Sequence, residues 1–86
     1  MARKMKYRIQ FKPRAIKDFE SLSSTLQMRI IKKVEEMTDD LKGDVKHLTD
    51  STPEFRLRVG DYRVLFEIEG ESIIIYRIRH RREAYR

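Results

Sequence analysis

The chain has 86 residues, 20 Lys+Arg against 14 Asp+Glu, a net charge of +6 and no cysteine. That length fits one domain, residues 1–86, with a small core, since so short a chain buries only ~60–65% of its unfolded surface. A disulfide framework and a thiolate metal site are excluded, and two histidines, His47 and His80, are too few for a His-rich metal cage.

The first segment alternates Tyr7, Ile9 and Phe11 with Lys6, Arg8, Gln10 and Lys12, the period of a strand with one buried face. Pro13 suits the first turn of a helix, and Ile16, Phe19 and Leu22 follow at helical spacing. Ser23-Ser24 breaks that helix, and Ser24-x-x-Gln27 is a capping-box pattern that opens a second. Leu26, Ile30, Val34, Met37 and Leu41 form the apolar stripe of this second helix, with Gly43 as its stop. Residues 44–53 read as a loop ending at Pro53. Three strands are expected at 54–59, 62–68 and 73–79. Gly60-Asp61, a two-residue type II′ signal, separates the first two, and Glu69-Gly70-Glu71 separates the second and third. The pattern predicts an α+β domain: an N-terminal strand, a helical hairpin and a three-strand antiparallel meander. Two helices would pack on one face of a four-stranded, mostly antiparallel sheet.

The longest apolar run, residues 73–76, falls far short of the ~20 residues a membrane span needs. The charged N-terminus leads into no apolar stretch and does not read as a signal peptide. A cytoplasmic domain is expected, with no membrane partner. The basic balance points to nucleic acid or to an acidic protein.

Charge is unevenly spread. Residues 1–34 hold ten basic and two acidic side chains, residues 35–52 two basic and six acidic, and residues 53–86 eight basic and six acidic. All eight lysines lie at or before Lys46, and every basic residue beyond it is arginine. Arginine offers a planar fork to phosphate or carboxylate, whereas lysine is a mobile point charge.

Strand register decides where those arginines point. The loop at Gly60-Asp61 pairs Val59 with Tyr62 and Arg58 with Arg63, and directly opposed residues share a face. One face then carries Phe55, Leu57, Val59, Tyr62, Val64 and Phe66, and should meet the helices. The other carries Arg56, Arg58, Arg63 and Leu65. For the last hairpin, a two-residue loop would put Arg77 beside Val64 in the core. A three-residue loop instead turns Ile74, Tyr76 and Ile78 inward and sends Arg77 and Arg79 to the Arg63 face. The second is preferred, because burying an unpaired arginine is costly. Opposed like charges destabilise a sheet, so the cluster reads as an anion site. The alternative is a solvated face with ion pairs to Glu54, Glu67 or Glu83.

The tail, His80-Arg81-Arg82-Glu83-Ala84-Tyr85-Arg86, adds a histidine, three arginines and a tyrosine beside that face. A tyrosine ring can stack on a base and its hydroxyl can hydrogen-bond. It can equally be packing on the sheet.

The segment Phe55 to Phe66, with Gly60-Asp61-Tyr62-Arg63 at its turn, and the tail Ile78 to Tyr85 resemble the RelE/ParE toxin superfamily, and the tail resembles its RelE branch. The family order of strand, helical hairpin and three strands matches across the chain. This resemblance implies the toxin of a toxin–antitoxin pair, acting as a ribosome-dependent endoribonuclease. Such a toxin cuts mRNA in the A site without a metal or other cofactor, using the message's own 2′-hydroxyl, and so inhibits translation. Its partners would be a cognate antitoxin, the ribosome and mRNA. The family's basic pair falls on Arg56 and Arg58, its arginine after the turn aromatic on Arg63, its late arginine on Arg81 and its C-terminal tyrosine on Tyr85. Arg63 and Arg81 would stabilise charge on the reacting phosphate. Arg56 and Arg58 would hold neighbouring phosphates, with Arg77 and Arg79 placed beside them by register. Tyr85 would orient the nucleotide. Some members carry lysines where this chain has Arg56 and Arg58. A guanidinium does not exchange protons near neutral pH, which leaves His80 as the nearby acid or base. Two alternatives remain: a ParE-like inhibitor of DNA gyrase, and a basic RNA- or protein-binding module without chemistry.

Overall fold

A computed structural model describes residues 6–83. Its elements are β1 (Arg8–Phe11), α1 (Pro13–Glu20), α2 (Ser24–Met37), β2 (Val45–His47), β3 (Phe55–Val59), β4 (Tyr62–Glu69) and β5 (Ser72–His80). The α+β class and the helical hairpin are as expected. The sheet has five strands rather than four, in the order β1-β5-β4-β3-β2. The added strand, β2, lies in the segment expected to be loop and pairs antiparallel with β3 through Val45 and Leu57. Three residues are too few to show a period of two, so only the pairing with β3 reveals this strand. β1 runs parallel to β5, and the remaining pairs are antiparallel.

Pro13 opens α1 as expected. The cap of α2 is Ser23, one residue before the expected one; its side chain accepts from the Leu26 backbone N–H at 3.3 Å. Gln27 closes no capping box and instead donates to the Phe19 carbonyl at 2.9 Å, tying the two helices together. α2 ends at Met37, short of Gly43, where the residues leading into β1 pair with the chain. The Tyr7 N–H takes the Thr38 carbonyl at 2.9 Å, and Lys6 bridges to Asp39. Leu41 therefore leaves the helix with φ +57 and half-buries itself against the core from a loop.

Ala15, Ile30, Val34 and Met37 of the helices meet Leu57, Val59, Val64, Phe66, Ile73, Ile75 and Ile78 of the sheet to form the core. The β3–β4 register is the expected one, with Arg58 opposite Arg63 and Val59 opposite Tyr62. Gly60 takes φ +58 in that turn, where a side chain would be strained.

The β4–β5 hairpin corrects the sequence reading. Its loop has two residues, since Glu69 pairs with Ser72, and Ile73 and Ile75 enter the core. Ile74 lies on the opposite face, beside Glu67. Continued unbroken, this register would drive Arg77 into the core. A β-bulge prevents it: Phe66 pairs with Ile75 but Leu65 with Arg77, leaving Tyr76 as the extra residue. Beyond the bulge Ile78 points inward, while Arg77 and Arg79 share the face of Arg63, as the sequence required.

β1 pairs with β5 only as far as Ile75. Past that point the edge of β5 is closed by Asp18 of α1, which accepts from the Ile78 N–H at 2.9 Å and from Arg77 at 2.8 and 3.2 Å. Burial works against the Asp18 carboxylate. The Arg77 and Ile78 hydrogen bonds, with the charges of Arg77 and Arg79, outweigh it and hold the pKa below the usual 3.8. The folded value is thus lower than the unfolded one. The resulting stabilisation is complete above 3.8 and is lost as pH falls through the folded value. Asp18→Asn is expected to cost ~1.5–3 kcal/mol at neutral pH. In urea titrations the difference from the parent protein should close as the pH drops below 3.8.

Candidate functional site

The sheet face away from the helices carries two cross-strand rows. Arg58, Arg63 and Arg79 stand in register across β3, β4 and β5, and Arg56, Leu65 and Arg77 form the next row. Lys46 of β2 extends the second row beside Arg56. Like charges in direct opposition repel, and each guanidinium of the first row faces a different counter-group. Arg63, only 9% exposed, donates to the Gly60 and Tyr62 carbonyls at 2.9 and 3.0 Å. Arg79 reaches Glu83 at 3.4 Å, and Arg58 lies 4.0 Å from Asp44.

Asp44 also binds Arg56, which donates to its carboxylate at 3.0 Å and to its carbonyl at 2.7 Å. The Arg56 hydrogen bond, with the charges of Arg56, Arg58 and Arg63, holds the Asp44 carboxyl below the usual carboxylate range despite some desolvation. Arg77 is committed to Asp18 at the sheet edge, and that partner raises its pKa further. Of the acidic residues weighed in the sequence, Glu83 pairs with an arginine of this face; Asp18 and Asp44 were not foreseen. Asp18 is one of only two acids among the first 34 residues, a signal that was available.

The end of β5 gathers the remaining candidates. His80 is paired with Tyr62, ring edge to ring face at 5.4 Å. Its Nδ1 accepts from the Arg82 N–H at 3.3 Å, so the neutral ring carries its hydrogen on Nε2. The exposed Arg81 side chain lies 3.9 Å from Asp61, and its backbone N–H donates to the Asp61 carbonyl at 2.7 Å. Tyr85 lies outside the described residues. The structure therefore sets Arg58, Arg63 and Arg79 side by side, places Arg56 next to them, and turns Arg77 to the edge. His80 opposes Tyr62, one residue along from the Arg63–Arg79 pair, and Arg81 follows just beyond the strand.

Among the described residues no group of three or more His, Cys, Asp or Glu converges as a metal site would. No helix among them is long and apolar enough to cross a membrane. The geometry offers several cations on one face; His80, expected beside them, instead shares the helix-side face with Tyr62 and Ile78, because side chains alternate along β5.

The family model for the ParE toxin of the type II toxin–antitoxin system, parDE, matches residues 9–85. The chain belongs to the RelE/ParE superfamily of toxins. Toxin RelE3 of Methanocaldococcus jannaschii is 31% identical to this toxin over 83 residues, covering 91% of this chain and 94% of the relative. Among solved structures, the toxin resembles the RelB-RelE antitoxin–toxin complex from Methanococcus jannaschii with TM-score 0.74 and 30% identity, over 88% of this chain and 94% of that one. The archaeal RelE-RelB complex from Pyrococcus horikoshii OT3 matches with TM-score 0.74 and 26% identity, over 93% and 100%. The RelBE2 complex from Mycobacterium tuberculosis, at 21% identity, TM-score 0.76 and 88% and 99% coverage, shares the fold.

Asp44 pairs with both Arg56 and Arg58 of β3, so an anion bound by either arginine would compete with it. Exposed ion pairs are weak, so the exchange is inexpensive. Asp44→Asn is expected to tighten binding of a short single-stranded RNA by up to about fivefold at low salt, read by fluorescence anisotropy, with the gain vanishing at high salt.

Proposed function

We propose that this toxin is a RelE-like, ribosome-dependent endoribonuclease held inactive by a cognate antitoxin. The observation that carries the reading is the cross-strand row Arg58–Arg63–Arg79, with Arg81 just beyond the end of β5. The named relatives, a RelE toxin and two archaeal RelE chains solved with RelB, support it.

In this reaction the 2′-hydroxyl of the message attacks the adjacent phosphorus. The bond to the 5′-oxygen breaks, leaving a cyclic phosphate and a free 5′-hydroxyl. Negative charge grows on the phosphate oxygens as the new bond forms. Arg63 and Arg81 stabilise that charge. Arg63 is well suited to a fixed role, since its carbonyl partners hold the guanidinium in place before substrate arrives, and preorganised donors need no rearrangement at the moment of reaction. Arg56 and Arg58 hold flanking phosphates once Asp44 yields them, and Arg79 does the same when Glu83 is displaced. Arg77 acts less directly: bound to Asp18, it anchors the strand that presents Arg79 and Arg81. Tyr85 stacks on the nucleotide and orients its 2′-hydroxyl in line. His80 exchanges the proton, and protonation at Nδ1 costs it the bond from Arg82. No step draws on a metal.

A second reading stays open because the matching family model is the ParE toxin: an inhibitor of DNA gyrase with the same fold. One experiment separates the two. The purified toxin is added to a cell-free translation reaction and the message ends are mapped, with a gyrase supercoiling assay run in parallel. Cuts within codons of ribosome-bound message are expected, and linear plasmid with intact message would favour the gyrase target. Arg81→Ala and Tyr85→Ala are each expected to slow cleavage about a hundredfold and relieve growth arrest. His80→Gln should alter the pH profile of the remaining activity; full cleavage with an unchanged profile would remove His80 from the site.

A further inference from the structure

The bulge that turns Arg77 and Arg79 outward also re-aims the ring of Tyr76, as bulges commonly do to one side chain. Half-buried Tyr76 lines a cleft of about 480 Å³ with Lys12, Pro13, Arg14, Pro53 and Arg77. That volume is in the range of small-ligand sites. The wall holds three cations and no carboxylate. Asp18 already satisfies Arg77. Among the described residues, Lys12 and Arg14 form no ion pair, and the Lys12 ammonium rests 5.3 Å from the centre of the Tyr76 ring.

We propose that this cleft is a second nucleotide subsite for single-stranded RNA. A base stacks on Tyr76 beside Pro53, and Lys12 and Arg14 take the flanking phosphates. The proposal rests on the RNA reading of the arginine face and lengthens its path. Arg77 belongs both to the cross-strand row and to the cleft wall, so the two surfaces are continuous. The exchange on the ring is favourable. An exposed cation–π contact contributes about two- to fivefold in affinity, whereas a base stacked on an aromatic ring contributes about five- to 150-fold. The base therefore displaces the ammonium, which is then free for a phosphate. Every base has a π-face, so the subsite adds affinity without sequence preference.

The test uses the full chain and labelled oligouridylate and oligoadenylate of about ten nucleotides, with binding read by anisotropy across a salt series. Tyr76→Leu is expected to weaken both RNAs about tenfold, and Tyr76→Phe to stay within about twofold of the parent. Lys12→Gln should weaken both about two- to fivefold and reduce the salt slope by about 0.7. Unchanged affinity in both Tyr76→Leu and Lys12→Gln overturns the subsite and leaves the cleft to a protein partner's side chain. Equal losses in Tyr76→Phe and Tyr76→Leu overturn stacking. Should Tyr76→Leu fail to fold, Lys12→Gln, at an exposed position, decides alone. Arg58→Ala in the same assay keeps the two ideas apart. A loss there without one at Tyr76 and Lys12 removes the subsite and keeps the arginine face. The reverse keeps the subsite and removes the face, and a parent chain that binds neither RNA overturns both.

Discussion

The arginine face and the core both depend on how β5 disposes of its side chains. The strand must deliver Ile73, Ile75 and Ile78 to the core and keep Arg77 and Arg79 out of it. Strict alternation cannot do both, because Ile75 and Arg77 share a parity. An arginine forced into the core without a partner costs several kcal/mol, a large share of what a domain this small has in reserve. The extra residue at Tyr76 resolves the conflict by flipping the phase in mid-strand. Asp18 then secures the flipped half, at the point where β1 no longer borders β5 and the Ile78 N–H lacks a strand partner.

The same device builds the arginine face. Once Arg79 is turned outward, it falls in line with Arg63 and Arg58. Three guanidinium groups in register would repel one another if left bare. Each faces a different counter-group, and the counter-groups differ in kind. Backbone carbonyls hold Arg63, which is nearly buried and preset. The exposed carboxylates of Asp44 and Glu83 lie against Arg58 and Arg79. The face thus combines one cation held by backbone carbonyls with others answered only by exposed, weakly held ion pairs. Asp44, in the acidic stretch, sets its carboxylate against both Arg56 and Arg58.

Much of this was legible residue by residue. Alternation at Tyr7, Ile9 and Phe11, the stripe from Ile30 to Met37 and the Gly60-Asp61 turn specified their elements, because one buried face leaves a periodic trace. The outward direction of Arg77 and Arg79 was legible too, through the cost of burying them. The means was not. A longer loop and a bulge both turn the arginines out, and they differ only in whether Ile74 or its neighbours Ile73 and Ile75 reach the core. The end of α2 was hidden as well, since Tyr7, just before β1, takes the Thr38 carbonyl from some thirty residues away in the chain. β2 was too short to be seen.

The sequence by itself determined the class of fold, the concentration of arginine after Lys46 and the resemblance to a toxin superfamily, because periodicity, composition and local motifs are all written along the chain. Tertiary structure alone decided which arginines stand together and what answers each charge. Asp18 meets Arg77 across 59 positions of sequence and Asp44 meets Arg56 across 12. No local pattern encodes such distances; they follow from where a helix and an edge strand come to rest on the sheet.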